Sequence, residues 1–369
     1  MIDDTCDEPS VKPVLFVTGH APAYRVAAFE RLHEREDVEF ALFGGRLKHG
    51  GGPTAQDLPF PHRHVREHEL YALAASGRYR AVVCPTGGRV AVLGAWAGAR
   101  RARVPLILWT SLWAHPRSAA HALSYLALRR LYRSADAVVT YGPHVSAYVR
   151  ARGAHHVHVA PQSVDNAFWS SPEVSMPNDP AWPANAAVKF LFAGRPAREK
   201  GLGVLVEAWS TSGLQAPTAA LVLVGAGSTP PWVPAGGAVV GLDHVSPTEL
   251  RNFYAAADVL VLPSIPTRTF REPWGLVANE AMNRGLPVIA SDAVGAAAGG
   301  LVRDGRNGIV VPAGNPIALA AALRRLAGDP SLRARLGEAG REDVSAYTHD
   351  AWAAGFSDAL ADVALSRGR

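Results

Sequence analysis

Residues 272–280, EPWGLVANE, carry groups that could bind an anion. The pattern predicts a helix over residues 276–283, and Pro273 suits its first turn because the N–H that proline lacks is not needed there. The next backbone N–H groups would then be free at the positive end of the helix dipole, a position that suits phosphate. Those N–H groups belong to Gly275, Leu276 and Val277.

The two glutamates at the ends of this segment, Glu272 and Glu280, cannot both face a phosphate. They suit hydroxyl groups instead, so that one could bind a sugar ring and the other a ribose. In the simpler interpretation, Glu272 caps the helix and Glu280 is a solvated helix residue. The spacing by itself favours the simpler interpretation, and only the surrounding sequence argues against it.

Two cations follow a second apolar run. Residues 188–193 read as a strand, and Arg195 and Lys200 lie in the loop after it, next to Gly194 and Gly201. A loop at the end of a strand can place one guanidinium and one ammonium on a single leaving group, since arginine offers a bidentate fork and lysine a compact charge. The alternative is that both are solvated loop cations.

Short apolar runs alternate with helical stretches along the whole chain, a pattern that predicts an α/β protein. The run at residues 259–262 precedes the EPWG segment, and the run at residues 14–18 precedes Gly19. In open α/β sheets, ligands bind at the carboxyl ends of the strands. The charged groups that follow these strands are therefore expected to face a ligand.

Together these pieces resemble the nucleotide-sugar signature of the retaining glycosyltransferases of family 4, which have the GT-B fold. The two glutamates match that family's E-x7-E, and residues 272–276 match its E-P-[FW]-G-L. Residues 280–282 (EAM) and 285–289 (GLPVI) follow in the family's order and spacing. The loop after residue 193 resembles its G-R-x4-K-G. The resemblance is strong over residues 186–330 and weak in the first half of the chain.

The resemblance implies two Rossmann-like, doubly wound domains that face each other across a cleft. An acceptor-side domain would span residues 1–165, a hinge 166–187, and a nucleotide-sugar-binding domain 188–348. Residues 349–369 would form a helix that crosses back to the first domain. The implied reaction transfers a sugar from a nucleoside diphosphate, with UDP favoured and GDP possible, to an acceptor hydroxyl with retention of configuration. The nucleotide sugar is a co-substrate, so no cofactor is implied.

The resemblance also assigns roles to residues. Arg195 and Lys200 would stabilise the charge on the departing phosphate, Glu272 would hold the sugar hydroxyls, and Glu280 would bind the ribose. The remaining donor-binding residues implied by the resemblance lie in loops or at the start of a helix: Gly19, Gly194, Gly225, Pro273, Trp274, Gly275, Leu276 and Val277.

The first half of the chain departs from the family at two points. It lacks the Gly-Gly pair that many members carry after the first strand, and the loop there contains Arg25. Arg25 is either a contact to phosphate or acceptor, or a plain solvated residue. The histidine that often touches the donor sugar is absent after the strand at residues 105–109. Its role passes to Thr110, Ser111 or His115, or is lost.

Composition places further bounds on the protein. At 369 residues, with 48% hydrophobic and 19% charged residues, the chain suits two soluble domains. The net charge of +5 fits an anionic substrate or a membrane surface as well as nucleic acid, and we predict no nucleic-acid partner. The two cysteines, Cys6 and Cys84, suggest a reducing cytosol without a structural disulfide. With no signal peptide or membrane span, we predict a cytoplasmic location, with possible peripheral contact at the inner face of the membrane.

Two clusters have competing interpretations. Arg129, Arg130 and Arg133 lie near the end of a predicted helix. They suit the helix dipole there, and peripheral contact with a membrane is the alternative function. The histidines at positions 62, 64 and 68 lack a cysteine or paired carboxylate to complete a metal site. We therefore predict no bound metal.

The acceptor is the least determined part of the prediction. A cell-envelope saccharide or glycolipid is the family's commonest use, and a small natural product is the alternative. Two other hypotheses stay open: a different enzyme on the same fold, such as a nucleotide-sugar epimerase, and a non-catalytic subunit that binds a nucleotide sugar.

Overall fold

The computed structural model describes residues 12–44, 58–227 and 238–367. Cys6 and the acidic N-terminal segment around it lie outside the described residues, so the expectations placed on them stay predictions. Cys84 is a buried free thiol.

The first sheet is formed by seven parallel strands: β1 (Val14–Thr18), β2 (Val38–Leu42), β3 (His62–His64), β4 (Ala81–Pro85), β5 (Leu106–Thr110), β6 (Ala137–Thr140) and β7 (Val157–Val159). Their order across the sheet is β3-β2-β1-β4-β5-β6-β7. The order reverses direction between β1 and β4, as it does in a doubly wound fold. Every residue of β1 and β5 is buried, because helices cover both faces of the sheet.

The second sheet is formed by six parallel strands: β8 (Val188–Ala193), β9 (Ala219–Val224), β10 (Val239–Leu242), β11 (Val259–Leu262), β12 (Val288–Ser291) and β13 (Gly308–Val311). Their order, β10-β9-β8-β11-β12-β13, reverses direction between β8 and β11. These are the two strands that precede the predicted cations and the EPWG segment. The prediction of two Rossmann-like, doubly wound units is confirmed.

Thirteen α-helices occur within the described residues: α1 (Ala23–Glu36), α2 (Leu70–Ala74), α3 (Arg89–Ala102), α4 (Ala119–Ser134), α5 (Pro143–Arg150), α6 (Asn166–Ser170), α7 (Leu202–Ser212), α8 (Pro247–Ala256), α9 (Val277–Asn283), α10 (Gly295–Ala298), α11 (Pro316–Gly328), α12 (Pro330–Val344) and α13 (His349–Arg367). Short 3-10 turns occupy Glu67–Glu69 and Arg198–Lys200. Helix α8 begins with a capping box between Ser246 and Glu249.

The last helix, α13, belongs to the core of the first sheet. Trp352 and Phe356 are fully buried and pack against Phe16 of β1, with ring centroids 6.4 and 5.3 Å from the Phe16 ring. Burying an aromatic side chain of this size typically stabilises a core by about 3–5 kcal/mol relative to alanine. We call the first sheet with its helices, including α13, the first lobe, and the second sheet with its helices the second lobe.

The predicted start of α1 and the predicted place of Pro273 in α9 were wrong. Helix α1 begins at Ala23, after Pro22 in extended conformation, so Arg25 lies in the helix rather than in the preceding loop. Helix α9 begins at Val277, and Pro273 therefore lies outside its first turn. The reason is Gly275, whose φ of 92° interrupts the helical path between the two.

The segment predicted to be a hinge is partly ordered into α6. Asn283 of α9 donates a hydrogen bond to Asn166 of α6 (3.0 Å), and Arg284 donates one to the carbonyl of Ser171 (2.6 Å). The segment is thus fastened to the second lobe. Among the described residues, no helix has the combination of length and apolar character that crossing a bilayer needs.

Candidate functional site

The loops after β8 and β11 meet at an ion pair. Lys200 Nζ lies 2.6 Å from Glu272 Oε2, and Ser264 Oγ donates to the same oxygen at 3.4 Å. The side chain of Glu272 is only 9% exposed and that of Lys200 is 22% exposed. Gly201 makes the approach possible, because a Cβ at that position would lie 2.0 Å from the carbonyl oxygen of Pro263. The structure therefore brings two of the three predicted catalytic side chains into contact.

Arg195, the third of these residues, is exposed. Its carbonyl accepts a hydrogen bond from Ala197 N (2.8 Å), but its side chain makes no hydrogen bond or ion pair with any residue that the structure describes. Gly194 beside it is in contact with Gly225, since a Cβ on Gly225 would lie 2.8 Å from the carbonyl oxygen of Gly194. These two glycines, both predicted as donor-binding residues, are therefore neighbours at the carboxyl ends of β8 and β9. Gly19 occupies the matching position after β1 in the first lobe.

The EPWG segment is held by its backbone. The carbonyl of Glu272 accepts a hydrogen bond from Gly295 N (3.1 Å), and a Cβ on Gly295 would lie 1.9 Å from the carbonyl oxygen of Pro273. The N–H groups of Gly275, Leu276 and Val277 form no hydrogen bond within the described part of the chain. They are free donors beside the ion pair, although Pro273 does not sit in the helical turn that the sequence predicts.

Trp274 points into the protein. Its Nε1 donates to Asn279 Oδ1 (2.8 Å), and Asn279 Nδ2 donates to the carbonyl of Gln162 (2.9 Å). Trp274 and Asn279 are 3% and 0% exposed. This chain of bonds fixes α9 to the segment that follows the first lobe.

Glu280 has a buried partner that the sequence does not reveal. Tyr254 of α8 donates its hydroxyl to Glu280 Oε2 at 2.8 Å. Burial raises the pKa of Glu280 to about 7, because a desolvated carboxylate is disfavoured, while the hydrogen bond from Tyr254 partly opposes the shift. One carboxyl oxygen of this partly buried glutamate makes no hydrogen bond within the described residues.

Two first-lobe side chains bind the backbone of the EPWG segment. Trp113 Nε1 donates to the carbonyl of Glu272 at 3.1 Å, and His144 Nε2 lies 3.2 Å from the carbonyl of Pro273. Because a carbonyl only accepts, Nε2 of His144 carries the proton. The two rings meet edge to face, with centroids 5.0 Å apart. Neither residue was predicted from the sequence, and the only signal was the position of Trp113 in the loop after β5.

Arg25 is buried rather than solvated. It is 4% exposed, and its Nη2 donates to Gln162 Oε1 at 2.6 Å. The guanidinium carbon lies 5.4–5.8 Å from the ring centroids of Tyr24, Trp109 and Trp352. The Nη1 atom is buried without a hydrogen-bond partner among the described residues. The expectation of a plain solvated residue is therefore wrong.

The three candidates at the end of β5 have different environments. Thr110 is the last residue of β5, and its buried hydroxyl is bonded to two first-lobe groups, Thr86 Oγ1 (2.9 Å) and Tyr132 Oη (3.3 Å). His115 Nε2 donates to the carbonyl of His121 (2.7 Å). Ser111 lines a cavity of about 430 Å³ together with His115.

No group of three or more His, Cys, Asp or Glu side chains is arranged to hold a metal ion among the residues that the structure describes. The three predicted arginines of α4, Arg129, Arg130 and Arg133, are exposed on the surface of the first lobe.

Comparison with known proteins agrees with this arrangement. Residues 187–329 match the family described as glycosyl transferases group 1. The D-inositol 3-phosphate glycosyltransferase of Xylanimonas cellulosilytica is 31% identical over 307 residues, which span 74% of this chain and 70% of that protein. The protein of the same name from Streptomyces bingchenggensis is 43% identical over 117 residues, spanning 31% of this chain and only 24% of that protein.

Solved structures share the fold at lower identity. HepE from Anabaena, solved with UDP and glucose, superposes with a TM-score of 0.72 at 18% identity, covering 95% of this chain and 99% of that one. Sucrose-phosphate synthase from Thermosynechococcus elongatus gives a TM-score of 0.69 at 22% identity, covering 96% and 100%. The fold, the matched segment and the relative that aligns over both lobes lead to one conclusion: the chain belongs to the group 1 glycosyltransferases.

Proposed function

We propose that the protein is a retaining, metal-independent glycosyltransferase that uses a nucleoside-diphosphate sugar, with UDP favoured and GDP possible as the nucleotide. The observation that carries the proposal is the contact between Lys200 and Glu272 at the carboxyl ends of β8 and β11. It gathers a cation and a carboxylate next to free backbone N–H groups, at the reversal point of the second sheet where ligands bind in doubly wound folds.

The diphosphate of the donor would be bound by cations and N–H groups together. Arg195 is exposed and unpaired within the described residues, and the N–H groups of Gly275, Leu276 and Val277 are available. When the donor binds, the Lys200 ammonium would interact with the phosphate as well as with Glu272. Removing one donor of this kind from developing negative charge typically slows a reaction about a hundredfold or more.

The sugar and ribose would be bound by the two glutamates. In the proposed complex Glu272 accepts hydrogen bonds from sugar hydroxyls, and Glu280 binds the ribose through the oxygen that Tyr254 leaves free. Gly225 would let the nucleotide base approach the ends of β8 and β9. The UDP bound in HepE from Anabaena supports UDP as the favoured nucleotide.

In the proposed reaction, the bond between the anomeric carbon and the diphosphate oxygen breaks, and a bond forms between that carbon and the acceptor oxygen on the same face. The acceptor proton moves to the departing phosphate oxygen, so no side chain has to act as nucleophile. The acceptor hydroxyl belongs to a cell-envelope saccharide or glycolipid in this proposal, with peripheral membrane contact through the exposed arginines of α4 on the cytoplasmic side.

The first test is a thermal-shift screen of wild type and Glu280→Ala with UDP-, GDP- and dTDP-sugars. A ligand at 100 times its dissociation constant stabilises the folded state by about 2.7 kcal/mol. We expect a shift with UDP-sugars that is lost in the variant. Absence of a shift with every nucleotide sugar would contradict the proposal, and the anomeric configuration of the product, read by NMR, tests retention.

A further inference from the structure

Three arginines from both lobes line one cavity. Arg117 follows β5, whereas Arg268 and Arg271 belong to the long loop between β11 and α9, and together with His115 they line a space of about 380 Å³. We call this space the arginine cavity. It contains no carboxylate in its lining, and none of the three guanidiniums forms an ion pair within the described residues. An unbalanced cluster of guanidinium groups is suited to a phosphate or diphosphate.

The arginine cavity exists because the two loops meet. Arg117 N donates to the carbonyl of Arg268 at 2.6 Å, which joins the first lobe to the second. The guanidinium of Arg271 stacks on Trp113, with its carbon 4.1 Å from the ring centroid, and its Nε is buried without a partner among the described residues. Arg271 directly precedes Glu272, so the cavity adjoins the proposed sugar site.

A second cavity lies next to the arginine cavity. It measures about 430 Å³ and shares His115 and Pro116 with the arginine cavity. Its wall is formed largely by aliphatic side chains of α3, α4 and the loop after β5: Val92, Leu93, Leu112, Leu128 and Leu131. We call it the aliphatic cavity. It contains no charged residue other than histidine, and its volume is within the range of small-molecule pockets, about 300–1,000 Å³.

We propose that the acceptor is an anionic amphiphile, with a phosphate group in the arginine cavity and an apolar chain in the aliphatic cavity. Two adjoining cavities of opposite character suit one ligand that carries both groups. The identification of the occupant as the acceptor rests on the proposed function, because it assumes that the donor occupies the second lobe. The binding of a phosphate amphiphile does not depend on that assumption.

The test measures binding of octyl phosphate, inorganic phosphate and octyl glucoside by calorimetry, at concentrations below micelle formation. Octyl phosphate is expected to bind at least tenfold more tightly than either of the other two, since only it fills both cavities. The double variant Arg117→Gln/Arg268→Gln should bind octyl phosphate at least tenfold more weakly than wild type. Arg325→Gln, an exposed arginine on α11, is the matched control and should leave the affinity unchanged.

A second pair of variants tests the apolar part. Leu93 lines the aliphatic cavity and is 49% exposed, whereas Leu126 on α4 is 69% exposed and does not line it. Leu93→Gln should weaken the binding of octyl phosphate severalfold and leave the affinity for inorganic phosphate unchanged. Leu126→Gln should change neither affinity.

Three results would overturn the proposal: no binding of octyl phosphate at millimolar concentration, equal affinity for octyl and inorganic phosphate, or unchanged affinity in the double arginine variant. The affinity for UDP, measured on the same proteins, separates this proposal from the function. If the protein binds UDP but not octyl phosphate, only the proposal of an amphiphilic acceptor is rejected. If it binds octyl phosphate but not UDP, the proposed donor site is rejected.

Discussion

Lys200 Nζ contacts Glu272 Oε2 at 2.6 Å across 72 residues of sequence, and the carboxylate in this pair is almost entirely buried. The pair is the point at which the loops of β8 and β11 are tied together. A buried carboxylate without its cation is unfavourable, so the pair contributes to folding as well as to the proposed chemistry.

Replacing Lys200 with methionine should therefore have two effects. We expect a loss of about 1–3 kcal/mol in the free energy of unfolding, because Glu272 loses its charged partner. Turnover of the donor should fall about a hundredfold or more. Lys12→Met is the control, since the Lys12 side chain donates to the carbonyl of Gly77 at the surface and has no other partner among the described residues. Unchanged turnover in the Lys200 variant would exclude a role for this cation in the reaction.

The stability of the protein should depend on the ionisation of Glu280. Its pKa in the fold is about 7, whereas an unfolded glutamate titrates near 4.3. Between these values the folded state binds more protons than the unfolded state, so stability falls as the pH rises from about 4.5 to 7. Between pH 5 and 7.5, the free energy of unfolding should fall by about 1–3 kcal/mol less in Glu280→Gln than in wild type, as measured by urea denaturation. Parallel pH profiles for the two proteins would contradict the prediction.

Trp113 should act on the position of the EPWG segment rather than on global stability. Trp113→Phe keeps an aromatic ring but removes the hydrogen bond to the carbonyl of Glu272. The loss of one such bond should cost about 1 kcal/mol in binding or turnover, a fivefold effect. Trp96→Phe is the matched control, because the Trp96 indole donates to Ser134 Oγ (3.0 Å), a contact between α3 and α4 rather than with the EPWG segment. Equal effects of the two substitutions would show that Trp113 has no special role.

Arg25 is a buried cation whose hydrogen-bonding partner is the neutral Gln162, and within the described residues it forms no ion pair. An unpaired buried charge opposes folding, and its removal offsets the loss of the hydrogen bond to Gln162 and of the ring contacts, so Arg25→Met should change the melting temperature little. Turnover should fall at least tenfold if the free Nη1 binds a substrate. Arg80→Met offers the contrast, because Arg80 pairs with Glu36 at 2.7 Å and its loss should lower stability. A lower melting temperature with normal turnover in the Arg25 variant would assign it a structural role.

Asp343 stabilises the second lobe by accepting hydrogen bonds from neighbouring side chains. Hydrogen bonds from Arg306 (2.8 Å) and Asn307 (2.7 Å) lower the pKa of Asp343 to about 2. The stabilisation is present above about pH 4 and is lost as the pH falls through 2. We expect Asp343→Asn to cost about 1–3 kcal/mol at pH 7. Asp350→Asn, in an exposed pair, should cost less than about 1 kcal/mol. Equal costs would mean that burial of the pair is unimportant.

The sequence by itself determined the sheets and the order of the motifs. Apolar runs such as Val14–Thr18 and Val259–Leu262 are continuous because parallel strands are buried on both faces, and this signal is local. The G-R-x4-K-G and EPWG motifs are local as well, so the resemblance located the second-lobe residues. The start of α9 was predicted to within one residue, but the place of Pro273 in its first turn was wrong because Gly275 takes a positive φ, which the sequence pattern does not indicate.

Only the tertiary structure decided which side chains meet. Tyr254 reaches Glu280, and Trp113 and His144 reach the EPWG backbone, through contacts between elements 26 to 159 residues apart. Such contacts have no periodicity in the chain, because they depend on how two lobes pack rather than on local conformation. The burial of Arg25 by Trp352 is of the same kind, since that tryptophan returns from the far end of the chain to complete the core of the first lobe.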